Sequence, residues 1–94
     1  VQRDVQQAYA HLQGAFARAQ ALEADLIPAR QAVYDRTREE VNYMLQSPFE
    51  LLRARQLLLE ARQQAIEAQR DYWLARVELT RAVGARRALA EAKP

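Results

Sequence analysis

Cysteine is absent from the 94 residues, so the chain has neither a disulfide framework nor thiol chemistry. Glycine occurs twice and proline three times, and Ser, Thr and Asn are sparse, which leaves few places where the chain can turn. The one histidine, His11, shares its heptad column with Asp4, Arg18 and Asp25, a pattern that reads as a solvated face. A metal site needs several converging ligands, and no Glu-x-x-His pair is present, so neither a metal site nor a cofactor is expected. Glu39 and Glu40 are neighbours in sequence and point about 100° apart on a helix, which makes them surface charge rather than an acid–base pair. No catalytic residue is expected, and the chain does not read as an enzyme. Neither sign of charge dominates: fourteen basic and twelve acidic residues give a formal +2. That balance describes a solvated helical surface. Arg81, Arg86 and Arg87 have no interleaved aromatics, so no nucleic-acid partner is expected. No apolar run approaches the roughly 20 residues that span a bilayer.

Ala, Arg, Gln, Leu and Glu make up most of the chain. Such a composition predicts an all-α fold with few connections. Strong turn chemistry appears once, at Leu45-Gln46-Ser47-Pro48. Ser47-Pro48-Phe49-Glu50 reads as a capping box: the Ser47 hydroxyl would accept from the amide of Glu50, and Glu50 would reach back to the amide of Ser47. So short a turn forces its two helices antiparallel. The prediction is a single helical hairpin over residues 1–94. Helix one covers about 3–45 with a kink over residues 24–28, near Pro28, and the tip is 45–48. Helix two covers 48–83 with Gly84 as its C-terminal cap, and a tail of 84–94 ends in a fraying Lys93 and Pro94. The chain opens on Val1-Gln2-Arg3-Asp4, already within helical patterning, as an internal piece of a longer protein would. Any targeting segment is therefore expected outside it.

Heptad spacing is regular. In helix two, Leu51, Leu58, Ala65, Tyr72 and Leu79 repeat every seven residues, flanked by an alanine column at 54, 61, 68, 75 and 82. About 100° away stands a second apolar column of Leu52, Leu59, Ile66 and Trp73. Between the two runs a polar strip of Arg55, Arg62, Gln69 and Arg76. Helix one repeats Val5, Leu12, Ala19, Leu26 and Val33, with phase expected to continue past Pro28, and Ile27, Tyr34 and Val41 form a second face towards the turn. The expected partners across the hairpin are Val33 with Leu59, Leu26 with Ile66, Ala19 with Trp73, and Leu12 with Thr80. A helix in a two-stranded coiled coil needs one seam. Two seams imply neighbours on both sides, so the hairpin is expected to self-associate, as a curved wall closing into an α-barrel or as a four-helix bundle of two hairpins. Phe49 fits either a staple for the hairpin end or an exposed docking contact.

Two stretches, Tyr43-Met44-Leu45-Gln46-Ser47-Pro48-Phe49-Glu50-Leu51-Leu52-Arg53-Ala54-Arg55 and Asp71-Tyr72-Trp73-Leu74-Ala75-Arg76-Val77-Glu78-Leu79, with Ala82-Val83-Gly84, resemble the TolC-like outer-membrane efflux proteins. The subgroup most resembled includes the heavy-metal (CzcC- and CusC-like) channels. That family typically has an aromatic-x-x-Gly-Leu-x-Ser turn and an acidic-Leu-Leu-x-Ala start to the returning helix. Here Met44 stands at the usual glycine and Val41 at the usual aromatic, which implies a turn that does without a left-handed residue. The resemblance implies a periplasmic hairpin of an outer-membrane duct, trimeric in its full-length parent, serving as a passive exit channel. A periplasmic adaptor would dock at the tip, on Met44, Leu45, Gln46, Ser47, Pro48 and Phe49, while an inner-membrane pump supplies the energy. Within such a wall, Arg55, Arg62, Gln69 and Arg76 would face the lumen. The fragment alone would form a dimer or larger bundle.

Overall fold

The computed structural model describes residues 2–92. Its elements are α1 (Gln2–Ala21), a π-helical stretch (Leu22–Leu26), α2 (Ile27–Asn42) and α3 (Pro48–Ala92). Among the described residues there is no strand, and the architecture is all-α: two long helical arms, the first made of α1, the π-helical stretch and α2, joined by one turn. The first arm ends at Asn42 rather than at Leu45. Gly84 does not cap the second arm either. α3 runs through it to Ala92, and no described glycine takes a positive φ. Without that backbone conformation a glycine weakens a helix but does not end it. The fraying expected of Lys93 and Pro94 lies outside the described residues.

The chain forms two compact units, one of Gln20–Glu67 and one joining Val1–Ala19 to Ala68–Pro94. In the first unit, α3 buries Ala54, Leu58, Ala61 and Ala65. From the other arm Leu22 and Leu26 are half-buried, followed by Tyr34, Thr37 and Val41. The step from Leu26 to Tyr34 is eight residues, one more than a heptad. The π-helical stretch supplies the extra residue, because the Ile27 amide donates to the carbonyl of Leu22, five residues back. Pro28 explains its position. Proline has no N–H for the carbonyl four residues earlier and its ring crowds that carbonyl, and a widened turn just upstream relieves both problems.

The expectation that heptad phase continues past Pro28 is therefore wrong. Val33 is 49 % exposed, and Tyr34 takes its place on the seam. The shift has a clear benefit. Unshifted phase would bring Arg36 and Glu40 to positions that Thr37 and Val41 now occupy. The Thr37 hydroxyl is satisfied within its own helix, donating to the Val33 carbonyl at 2.7 Å. Arg36 and Glu40 instead pair along the helix at 3.1 Å.

In the second unit Ala8, Ala68 and Ala75 are buried, with Leu12, Ala15, Ala19, Tyr72 and Leu79 half-buried around them. Two polar contacts seven residues apart mark one flank of this seam: His11 Nδ1 lies 3.2 Å from Glu78 Oε2, and Arg18 lies 3.5 Å from Asp71. His11 thus reaches the opposite arm instead of standing on a purely solvated face. Tyr72 meets Phe16, with ring centroids 5.7 Å apart.

The expected cross-hairpin partners named the wrong column of α3. Trp73 is 58 % exposed, and Leu59 and Ile66 are exposed as well. One residue along a helix is a rotation of about 100°, so choosing the neighbouring column turns a seam residue into a surface residue. Alanine decides between the columns. Six of the seven buried apolar residues among those described are alanines. Small side chains allow the backbones to approach closely, which Leu59, Ile66 and Trp73 would prevent. The cost is a thin core: a methyl contributes only about 0.8 kcal/mol when buried, against about 1–2 kcal/mol to order each backbone residue.

Candidate functional site

Two apolar surfaces are left uncovered. The first is the tip. α2 ends in a Schellman motif, with the Leu45 amide donating to the Glu40 carbonyl at 2.8 Å and the Met44 amide to the Val41 carbonyl at 3.0 Å. The motif needs a left-handed residue after the last helical turn, and Met44 provides it with φ 60°. The expectation of a turn without such a residue is overturned. Met44 occupies a conformation that suits glycine, at the position where the resembled family carries glycine.

The cap of α3 also differs from the expected box. Ser47 Oγ accepts from the Phe49 amide at 3.1 Å, while the Glu50 amide donates to the Ser47 carbonyl at 3.0 Å. Ser47 is still the N-cap, acting on the second helical amide instead of the third. Gln46 folds back, its Nε2 donating to Glu40 Oε2 at 3.0 Å. With the backbone satisfied in this way, the apolar side chains have nothing to pack against. Met44 is 93 % and Phe49 81 % exposed, and Leu45 and Tyr43 are exposed with them. Phe49 does not staple the hairpin end. Pro48, also exposed, starts α3.

The second uncovered surface is the outer column of α3. In the unit of Gln20–Glu67 it holds Leu52, Leu59 and Ile66, the last 68 % exposed. In the other unit it holds Trp73, with Leu74 and Val77 exposed nearby. Surface residues at a seven-residue spacing make a stripe, unlike singly scattered apolar side chains. The polar strip runs between this stripe and the buried seam. Arg55 and Gln69 are exposed, Arg62 donates to Gln31 Oε1 at 3.0 Å, and the Arg76 guanidinium sits 5.2 Å from the Trp73 ring centroid. Arg62 and Arg76 thus each engage a neighbouring side chain as well as solvent.

Among the described residues no three His, Asp or Glu side chains converge as metal ligands, and no helix is long and apolar enough to cross a membrane. A cleft of about 200 Å³ lies where Gly14, Ala15 and Ala68 leave room on the seam, bordered by His11 and by the Arg18–Asp71 pair. It contains no nucleophile set beside a base. No family model matches the chain, and neither a curated protein nor a solved structure matches it.

Proposed function

We propose that this hairpin is a periplasmic wall element of an outer-membrane efflux duct, part of a passive exit channel whose tip receives a periplasmic adaptor. The observation that carries the reading is the second seam: α3 fills one apolar column against its own hairpin and leaves Leu52, Leu59 and Ile66 uncovered, as a helix with a neighbour on each side would. The resemblance supplies the identity of the assembly, and the left-handed Met44 at the family's glycine position adds support. In this reading the full-length parent is a trimer, Met44 to Phe49 form the adaptor contact, and an inner-membrane pump drives export. The row of Arg55, Arg62, Gln69 and Arg76 borders the lumen.

The test is made in the full-length parent. Leu45→Asp and Ser47→Asp each place a charge where a tip contact would desolvate it, which is costly. Both should abolish adaptor cross-linking and cargo resistance while the trimer persists. Unchanged cross-linking and resistance would reject the docking assignment.

A second reading is an interaction module that pairs two hairpins into a four-helix bundle. The order of charges beside the uncovered stripe favours it, because Arg55 and Arg62 line one side while Glu60 and Glu67 follow Arg53 on the other.

A further inference from the structure

The bundle reading can be taken further, to one partner and one orientation. Along α3, within the unit of Gln20–Glu67, the uncovered stripe continues as Leu52, Gln56, Leu59, Gln63 and Ile66, spaced four, three, four and three residues apart. That is the alternation of core positions in a coiled coil, and all five residues are exposed. One edge of the stripe carries Arg55 and Arg62. The opposite edge carries Arg53 at its start, followed by Glu60 and Glu67.

We infer that α3 pairs in parallel with α3 of a second copy of this chain along residues 52–66, with Arg55 and Arg62 of each copy meeting Glu60 and Glu67 of the other. The inference rests on the bundle reading and does not depend on export. Spacing carries it. In a parallel pair, a residue on one flank meets the partner residue five positions further on, on the opposite flank. Arg55 to Glu60 and Arg62 to Glu67 are both five residues apart. An antiparallel pair would bring like flanks together, setting Arg55 and Arg62 against each other and Glu60 and Glu67 against a flank where only Arg53 has the opposite sign. The parallel pair leaves Arg53 opposite the uncharged Pro48. Charge order therefore selects the parallel arrangement, with both tips at the same end.

The side chains are placed for these contacts. Arg55, Glu60 and Arg62 are exposed and Glu67 is half-buried. Glu60 accepts from Gln56 Nε2 at 3.4 Å, a contact that leaves acceptor capacity on the carboxylate. Arg62 spends one donor on Gln31, and its guanidinium has others to give. Gln56 and Gln63 in the core of the stripe weaken the pairing but fix its register, since each glutamine finds a partner only opposite its own copy.

Sedimentation equilibrium of the whole chain at low salt tests the charges. Glu60→Arg with Glu67→Arg should weaken self-association at least about ten-fold, as should Arg55→Glu with Arg62→Glu, because each change turns attractive flanks into repulsive ones. An equimolar mixture of the two variants should restore it. Circular dichroism and urea melts check that the hairpin persists, since Arg62 bonds to Gln31 of the other arm and Glu67 is half-buried. Orientation is tested by oxidising Gln56→Cys and Gln63→Cys in the otherwise cysteine-free chain. Parallel pairing predicts that both form homodisulfide dimers at comparable rates. A monomeric chain, association insensitive to both charge reversals, or cross-linking only in a mixture of the two cysteine variants would each overturn the inference.

Discussion

Met44→Gly is the substitution whose effect follows most directly from the backbone. Met44 holds φ 60° at the centre of the Schellman motif, where an L-residue pays roughly 1–2 kcal/mol for the clash between its Cβ and the following carbonyl. Glycine removes that cost. It also adds freedom to the unfolded chain, which takes back about 0.4–1 kcal/mol. The methionine side chain is 93 % exposed, so no packing is lost. The net expectation is stabilisation by about 0.5–1 kcal/mol, a rise of roughly 2–8 °C in Tm for a chain of this size. Met44→Ala is the matched control, because alanine keeps the Cβ and therefore the strain. Both variants are to be melted by urea and by heat at the same protein concentration, so that association contributes equally. Met44→Asn should fall between them, since asparagine tolerates the left-handed region. If Met44→Gly is no more stable than Met44→Ala, the turn is not strained and this account of it fails.

Ser47→Ala should destabilise the chain by about 0.5–2 kcal/mol in urea melts, because it leaves the Phe49 amide without its hydroxyl acceptor. Gly14 and Gly84 both lie within helices with nothing within 4 Å of an added Cβ, so Gly14→Ala and Gly84→Ala should each stabilise by about 0.5–1 kcal/mol in the same melts. Deleting Ala24 together with Pro28→Ala removes the extra residue and its cause, and stability should hold within about 1 kcal/mol. Deleting Ala32 instead should cost clearly more, because it rotates Tyr34, Thr37 and Val41 off the seam by about 100° while the widened turn remains. Equal costs for the two deletions would remove the π-helical stretch from its role in setting phase.

By itself the sequence determined the all-α class, the single turn, the start of α3 at Pro48 and the existence of two apolar columns on α3. Each of these is a local property: helix propensity, the fixed φ of proline, the capping preference of serine and a seven-residue period act through neighbours in the chain. Which column becomes the seam was decided only in three dimensions. Leu59, Ile66 and Trp73 outweigh alanine in hydrophobicity, but close approach of two helices favours the column of Ala54, Ala61, Ala68 and Ala75. The phase beyond Pro28 was decided in the same way. The face of Ile27, Tyr34 and Val41 was visible in the sequence. Its promotion over Val33 required the π-helical stretch, which keeps Arg36 exposed. The left-handed Met44 was hidden for a related reason. Nothing in methionine favours that conformation, and it is imposed by the end of α2 and the start of α3, whose backbone groups the turn between them must satisfy.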